Sequence, residues 1–421
     1  MKPALQTRLA SFLILKDVLE KKITVPLAFS RCKEISNLSS IDVKFVRMLV
    51  LTTLRHYGQS KEILKKFLKK KLSGKKKDVE FVLVMAVVQL KFLKTPPHAV
   101  LDTAVELIKH LKQKHFASLV NAVLHSVAKD EGKIPDVLTN LPDWLCDKWM
   151  NSYSKDEIRG FLSYFYTEPM LDISVKSDAN LWAEKLEATV LPTGTLRRHF
   201  SDNMTLLDGF ADGNWWVQEA SAALPALLFS SVDGKHGADL CSAPGGKTAQ
   251  LVMRGAQVDA YDISENRLGR LRENLERLKI QDKVQVICTD ALDIEGSEKY
   301  DFILLDAPCS ATGTMKRHPE LMYLRTHEDV ERLSQLQYQL LEKAVQLLKV
   351  GGELVYSTCS LEKEENETLV QLFLNDHIDM VREVPQNEVL KPFLNAFGAV
   401  EVHPSEMVQQ DGFYAVLLKK Q

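Results

Sequence analysis

Strands and helices alternate from about residue 206 onward, and this alternation restricts the possible fold more than any other feature of the sequence. Short apolar runs typical of buried strands are separated by longer stretches in which apolar residues recur at helical spacing. Such alternation indicates a doubly wound α/β fold, a mostly parallel sheet with helices on both faces. The predicted strands are Gly237–Cys241, Gln257–Asp262, Val284–Cys288, Tyr300–Asp306, Glu353–Ser357 and a closing strand, Gly412–Leu418, expected to be antiparallel and at an edge.

Acids and thiols follow these predicted strands directly. Asp262, Asp290 and Asp306 end or follow three of them, and Cys309 and Cys359 come after the fourth and fifth. Because open α/β sheets bind ligands at the carboxyl edge of their strands, we expect these side chains to meet at one site. An accessible thiolate is a nucleophile, so two cysteines at this edge favour covalent catalysis over simple packing. The residues alone do not settle which cysteine attacks.

The stretch 238–249 combines a strand, a glycine loop and the start of a helix. A phosphate-binding loop would need glycine where Cys241 stands, and the G-x-G-x-x-G pattern of dinucleotide folds is absent. S-adenosylmethionine fits best, because acids at successive strand ends can hold its ribose and adenine. The expected cofactor contacts are Cys241, Ser242, Ala243, Pro244, Gly245, Gly246, Lys247, Asp262, Asp290 and Asp306.

The first 140 residues differ from the rest in both pattern and charge. Helical spacing predicts an all-α bundle, and 26 Lys and Arg stand against 12 Asp and Glu, whereas the remainder has 28 against 44. A solvated lysine face would explain the densest cluster, Lys61–Lys77, by itself. An asymmetry across a whole domain instead favours a nucleic acid partner. We expect a helical domain at 1–140, a small α+β subdomain at 141–205 and the α/β domain at 206–421.

Six scattered cysteines without a CxxC pair argue against a metal site and a disulfide framework, and they suit a reducing cytoplasm. No apolar stretch reaches the length of about 18 residues needed to span a bilayer. We therefore expect a cytoplasmic protein with no membrane partner. We also expect a monomer, because the basic helical domain already supplies a module for binding nucleic acid.

Two regions of the chain resemble a known family. The segments Ala86–His98, Ala104–Ile108 and Ser118–Leu124 are similar to the NusB-like RNA-binding bundle that precedes the catalytic part of RsmB-type ribosomal RNA methyltransferases. The loop Cys241–Lys247 and the three strand-end acids are similar to the S-adenosylmethionine site of the Sun-type RNA cytosine-5 methyltransferases. That family usually has Ala where this chain has Ser242.

The resemblance implies methylation of carbon 5 of a specific cytosine in small-subunit (16S-type) ribosomal RNA, unassembled or partly assembled. It implies that Cys359 attacks carbon 6 of the base. Cys309 would assist product release, as a base for the carbon 5 proton, and Asp306 would hold the cytosine edge.

RNA contacts are expected from a basic stretch after the catalytic loop and from the lysine cluster, namely Lys316, Arg317, His318, Lys65, Lys66, Lys69 and Lys70. The alternatives are the same chemistry on transfer RNA or DNA, and a non-catalytic RNA-binding factor of ribosome assembly.

Overall fold

The computed structural model describes residues 2–70, 72, 74–199, 204–405 and 407–421. The chain divides into two compact units, one containing residues 1–166 and 317–326 and the other containing 167–316 and 327–421. This division is coarser than the three ranges predicted from the sequence, which stay a prediction. Among the described residues, no helix is both long and apolar enough to span a bilayer.

The first unit is helical, as predicted. Its centre is a helix whose residues from Phe81 to Leu90 are all buried, which explains the apolar run seen in the sequence. The amphipathic helices around it bury one face each against it. The main helices of residues 1–166 are α1 (Pro3–Lys21), α2 (Val25–Arg31), α3 (Ser40–Arg55), α4 (Tyr57–Lys65), α5 (Lys77–Lys91), α6 (Pro97–His110), α7 (Ala117–Lys129), α8 (Asp143–Ser152) and α9 (Lys155–Tyr166).

A short segment from much later in the chain completes this helical unit. Residues 317–326 contain one turn of helix, Leu321–Leu324, and Tyr323 packs against the core of the bundle. The Tyr323 hydroxyl donates to Leu54 O at 2.7 Å, and the buried Glu320 carboxylate accepts from Val25 N at 3.2 Å. Sequence reasoning placed this segment in the α/β domain and did not foresee its packing.

The second unit begins with a small antiparallel sheet. Its strands are β1 (Met170–Val175), β2 (Thr189–Val190), β3 (Leu196–His199) and β4 (Trp215–Val217), in the order β2-β3-β1-β4, and helix α10 (Ala179–Lys185) packs on it. The strand predicted at Met170–Val175 is confirmed. Trp215 and Trp216 are buried, so they serve the core and are not base-stacking surfaces.

The large sheet has eight strands, and the five adjacent strands from β9 to the β7 edge run parallel. The strands are β5 (His236–Leu240), β6 (Gln257–Asp262), β7 (Val284–Cys288), β8 (Tyr300–Asp306), β9 (Leu348–Thr358), β10 (Met380–Glu383), β11 (Val400–Val402) and β12 (Phe413–Lys420). The order is β10-β12-β9-β8-β5-β6-β7, with β11 also paired to β12. The closing strand is antiparallel as predicted, but the prediction that it lies at an edge is wrong, because β10 and β11 pair with its outer side.

Helices cover both faces of this sheet, as a doubly wound fold requires. One face carries α11 (Gly246–Met253) and α12 (Glu265–Arg277), and the other carries α14 (His327–Leu347) and α15 (Glu367–Asp376). The label α13 denotes the turn Leu321–Leu324, which belongs to the first unit. Side chains of β8 alternate between the two faces of the sheet. Phe302 and Leu304 pack in the core beneath α11 and α12, and Ile303 and Leu305 pack in the core beneath α14 and α15. The fold prediction is confirmed.

Candidate active site

The order of the large sheet reverses beside β5. From β5 the chain proceeds through β6 and β7 on one side, and it later places β8 and β9 on the other. The loops that follow β5 and β8 therefore diverge, and a crevice at such a reversal is where open α/β sheets bind ligands. The glycine loop follows β5 and Asp306 ends β8, so both lie at this reversal, as the sequence predicted.

The glycine loop turns sharply between β5 and α11. Cys241 has a φ of +63° and Gly245 a φ of +98°, both in the left-handed region. Gly245 also has little room for a side chain, since an added Cβ would lie 3.1 Å from Leu271 Cγ. A glycine at this position lets the backbone make the turn without strain.

Asp262 holds this loop in place. Its carboxylate accepts from Ala243 N at 3.3 Å and from Ser264 N at 2.9 Å, and Arg267 Nη1 lies 3.2 Å from Oδ2. Asp262 is buried. Asp290, after β7, caps a short turn by accepting from Leu292 N at 3.0 Å. The two acids thus stand where the sequence predicted them, and both already order the backbone.

Asp306 is oriented from two sides. Lys247 Nζ, from the first turn of α11, lies 2.7 Å from Asp306 Oδ2, and Ser357 of β9 donates to Oδ1 at 3.1 Å. The Lys247 ammonium also lies over the Phe413 ring, 5.3 Å from its centroid. Because Lys247 is largely buried and Asp306 partly exposed, the carboxylate is fixed in direction yet accessible.

The two predicted cysteines face each other. Cys309 follows the end of β8 and Cys359 follows the end of β9, and their Sγ atoms are 3.5 Å apart. The loops that carry them are tied by Gly313 N, which donates to Cys359 O at 3.0 Å. Gly313 cannot carry a side chain here, because an added Cβ would lie 2.2 Å from Gly412 O.

The surroundings distinguish the thiols. The pKa of Cys309 is raised well above its usual value, first by the hydrogen bond with Cys359 and then by loss of solvent. Cys309 therefore keeps its proton at neutral pH. Burial, followed by the charges of Asp306, Asp262 and Asp239, raises the pKa of Cys241 to about 12. That thiol stays protonated and is unsuited to attack.

Comparison with known proteins identifies the family of this chain. The family profile described as 16S rRNA methyltransferase RsmB/F matches residues 226–419, and the NusB family profile matches residues 5–129. Ribosomal RNA small subunit methyltransferase B of Vibrio cholerae is 33% identical over 391 residues, which cover 87% of each chain. The chain belongs to the ribosomal RNA small subunit methyltransferase B family. The Yersinia pestis protein of the same name is 31% identical over 403 residues, covering 91% of this chain and 92% of that one.

The fold of this methyltransferase also has a counterpart among solved structures. The crystal structure of PH0851 has a TM-score of 0.78 with this chain, at 23% sequence identity, and covers 100% of this chain and 99% of its own. A likeness at this level of identity shows that the two chains share their architecture.

The methyltransferase B family uses S-adenosylmethionine, and the residues at the sheet reversal fit that cofactor. Ser242 Oγ and Asp239 Oδ1 are buried and have no hydrogen-bond partner among the described residues. Unpartnered polar atoms beside a crevice suit a polar ligand. The carboxylates of Asp239, Asp262 and Asp306 all lie close enough to raise the pKa of Cys241, while Arg267 lowers it and Lys247 pairs with Asp306.

The residues expected to contact RNA differ in their accessibility in this methyltransferase. Arg317 is exposed and His318 half-buried, whereas Lys316 is only 5% exposed and offers little to a phosphate. The four lysines of the cluster are all exposed. Lys65 forms an ion pair with Glu62 and Lys66 lies 3.6 Å from Asp130, so acids partly neutralise both.

Sequence reasoning missed the polar residues that bind the two cysteine loops to one another. They are Ser310, Gln337, Ser360 and Glu365. One signal was present in the sequence, because each cysteine is followed directly by a serine. Among the described residues, no cluster of His, Cys, Asp and Glu has the geometry of a metal site.

Proposed function

We propose that this methyltransferase modifies carbon 5 of a cytosine in small-subunit ribosomal RNA, with Cys359 as nucleophile and Cys309 assisting release. The observation that carries the proposal is the 3.5 Å contact of the two sulfurs beside the oriented carboxylate of Asp306. Family membership supports the substrate, since the relatives are named as ribosomal RNA small subunit methyltransferases.

Cys359 opens the reaction by adding to carbon 6 of the base. The new sulfur–carbon bond uses the electron pair of the thiolate, and the ring double bond shifts so that carbon 5 becomes electron-rich. Once Cys359 is ionised, the Cys309 thiol holds the remaining S–H of the pair, and its hydrogen bond to the Cys359 sulfur, 3.5 Å away, stabilises the thiolate before it attacks. When bound, S-adenosylmethionine supplies the methyl group that carbon 5 takes up.

Asp306 holds the base for this attack. A carboxylate accepts a hydrogen bond from the exocyclic amine of cytosine, a group that uracil lacks. Lys247 donates to one oxygen of the Asp306 carboxylate and Ser357 donates to the other. Each oxygen therefore keeps a lone pair that can accept from the base. Because the Asp306 carboxylate is already fixed before the base binds, less entropy is lost in reaching the reactive geometry. The residues proposed to hold the cofactor are those of the glycine loop with Asp262, Asp290 and Asp306.

Cys309 completes the reaction by a double proton transfer. It hands its proton to the departing Cys359 sulfur and accepts the proton that carbon 5 loses. The sulfur–carbon 6 bond breaks, the ring double bond re-forms, and both cysteines are left as thiols. Cys359 then loses a proton to solvent before the next cycle. The raised pKa of Cys309 suits a group that must both hold and regain a proton.

The product identifies the reaction. Small-subunit ribosomal RNA that lacks the modification, incubated with the protein and methyl-labelled S-adenosylmethionine, should take up label that appears in 5-methylcytidine after digestion to nucleosides. Transfer RNA and large-subunit RNA serve as comparison substrates. Label in another nucleoside would refute the carbon 5 chemistry, and label in transfer RNA alone would refute the ribosomal substrate. Binding without any label would support a non-catalytic assembly factor.

A further inference from the structure

A single carboxylate bridges the two cysteine loops. Glu365 lies in a turn shortly after Cys359 and is fully buried. Its Oε1 accepts from Ser310 N at 2.8 Å, and its Oε2 accepts from the hydroxyls of Ser310 and Ser360. Ser310 is the residue after Cys309, and Ser360 is the residue after Cys359. One side chain is therefore bonded to the immediate neighbours of both cysteines.

The Glu365 carboxylate adds to the hydrogen bond from Gly313 N to Cys359 O in holding the two loops together where the sheet no longer aligns them. Strand β8 ends at Asp306 and β9 at Thr358, so the ladder hydrogen bonds that fix one strand against the other stop before the cysteines. Beyond the strands, Ser310 Oγ and Ser360 Oγ lie 2.9 Å apart, and the cysteine sulfurs lie 3.5 Å apart. The spacing of the serines and the spacing of the thiols are thus set by the same two loop backbones.

Gln337 of helix α14 also holds the Glu365 carboxylate in place. Gln337 Nε2 donates to Glu365 Oε1 at 3.0 Å and to Pro308 O at 2.9 Å. Its Oε1 accepts from the Tyr356 hydroxyl at 3.1 Å, and that hydroxyl also donates to Glu365 O at 2.6 Å. The carboxylate accepts four hydrogen bonds within a buried network, where removal of a partner is costly.

We infer that Glu365 is a positioning residue for catalysis: its carboxylate holds the loops of Cys309 and Cys359 at the sulfur–sulfur distance that proton transfer between them requires. Glu365 acts through Ser310 and Ser360, whose hydroxyls its carboxylate binds. The catalytic part of this inference rests on the proposed function, whereas the control of sulfur spacing does not.

Glu367 provides a matched control. It is also buried and lies only two residues further on, but Arg382 and the Tyr414 hydroxyl bind its carboxylate, at 2.6 and 2.8 Å. Glu365→Gln and Glu367→Gln each remove one buried carboxylate with almost no change in shape. The amide of Glu365→Gln keeps one oxygen to accept from Ser310 N, but its N–H groups face the hydroxyls of Ser310 and Ser360, which must then rotate and accept. The charge-assisted hydrogen bonds to both cysteine loops are thereby replaced by weaker neutral ones, so only this variant should alter the cysteine pair.

The first measurement needs neither RNA nor cofactor. Diamide oxidises two nearby thiols to a disulfide and takes up their two hydrogen atoms, and mass spectrometry can follow the Cys309–Cys359 cross-link. Sulfurs 3.5 Å apart need only a short movement to bond. We expect Glu365→Gln to slow this cross-link at least about tenfold, as misplacement of paired groups does. Glu367→Gln should form it at the wild-type rate.

The second measurement is methyl transfer by the full chain. Glu365→Gln should lower kcat about 100-fold, the usual effect of a displacement near 1 Å, with KM for RNA and for S-adenosylmethionine within about twofold of wild type. A merely structural role would leave the thermal midpoint lower but kcat of the folded fraction unchanged. If Glu365→Gln does not fold, Ser360→Ala replaces it, since it removes the bond between Glu365 and the Cys359 loop while Ser310 stays bonded to Glu365.

The outcomes separate the two proposals. Wild-type rates of both cross-linking and methyl transfer in a folded Glu365→Gln protein would overturn the role of Glu365, and so would slow cross-linking with normal methyl transfer. Equal decreases of both rates in Glu367→Gln would also overturn the role of Glu365, because removal of any buried carboxylate would then have the same result. If the wild-type protein methylates no cytosine, the proposed function fails, and the cross-linking rates alone decide whether Glu365 sets the distance.

Discussion

At the scale of single residues, the surroundings of each thiol assign it a chemical role. Burial comes first among the influences that raise the pKa of Cys32 to about 11 and that of Cys241 to about 12, so both remain inert thiols. The pKa of Cys309 is also raised, but there the largest cause is the hydrogen bond with Cys359. Cys309 and Cys359 are therefore distinguished from the other thiols by the contact of their two sulfurs.

Asp239 should make stability depend on pH near neutrality. Burial raises its pKa from 3.8 to about 7. A carboxyl whose folded-state pKa is raised contributes stability that is complete below the unfolded-state pKa and is lost as the pH rises through the folded-state pKa. For the protein without cofactor, we expect the wild-type free energy of unfolding to be lower at pH 8 than at pH 6, with about 1 kcal/mol of that difference due to Asp239.

Asp239→Asn should remove this part of the pH dependence. Urea denaturation at the two pH values measures it, because the difference between them should shrink by about 1 kcal/mol in the variant. Asp212→Asn, at an exposed aspartate, should leave the difference unchanged. An Asp239→Asn protein with the full wild-type difference would show that Asp239 does not titrate in this range.

At the scale of elements, regular structure was predictable and the connections between elements were not. The strands at Gln257–Asp262, Val284–Cys288 and Tyr300–Asp306 match their predicted bounds, because apolar runs ending in a polar residue are a local signal. Whether Phe413–Lys420 lies inside the sheet or at its edge depends on which strands pair with it. That pairing is non-local, so the sequence pattern led to the wrong expectation of an edge strand.

The candidate site shows the same division between local and non-local information. The glycine loop, Asp306 and both cysteines could be located from the sequence, since each follows a recognisable strand. Glu365 could not, because it is one of four glutamates in the stretch Glu362–Glu367 and only the folded chain shows which carboxylate reaches Ser310. Burial of Lys316 was equally hidden, since nothing in its neighbourhood of the sequence marks it as a core residue.

At the scale of the whole molecule, a basic helical unit and an acidic catalytic unit are joined at more than one point of the chain. The chain leaves the catalytic unit after Lys316, seven residues beyond Cys309, and returns to it at His327. Between these points Glu320 and Tyr323 are bonded within the helical unit. Residues 1–166 alone would lack this segment, so RNA binding by the helical unit is best tested in the full chain.

Lys69 and Lys70 should contribute to RNA affinity mainly through charge. Both are exposed, whereas acids partly neutralise Lys65 and Lys66. We expect the double variant Lys69→Gln, Lys70→Gln to bind small-subunit RNA severalfold more weakly. The slope of log affinity against log salt concentration should fall by about 2, one for each phosphate that a lysine no longer neutralises. Filter binding across a salt series measures both quantities.

The control for this experiment lies in the catalytic unit. Lys279 and Lys283 are also exposed, and changing both to Gln removes the same charge from the protein. An equal decrease of the slope in the two double variants would show that net charge is responsible and that the lysine cluster does not bind RNA specifically.

The central claim is the division of labour between Cys359 and Cys309, and trapping the covalent complex tests it most directly. Single alanine variants of each cysteine are incubated with unmodified small-subunit RNA and S-adenosylmethionine, and protein–RNA adducts that survive denaturing electrophoresis are counted. Cys309→Ala should accumulate the adduct, because Cys359 still attacks but its release lacks the proton transfer. Cys359→Ala should form none. An adduct in Cys359→Ala and none in Cys309→Ala would contradict the assignment.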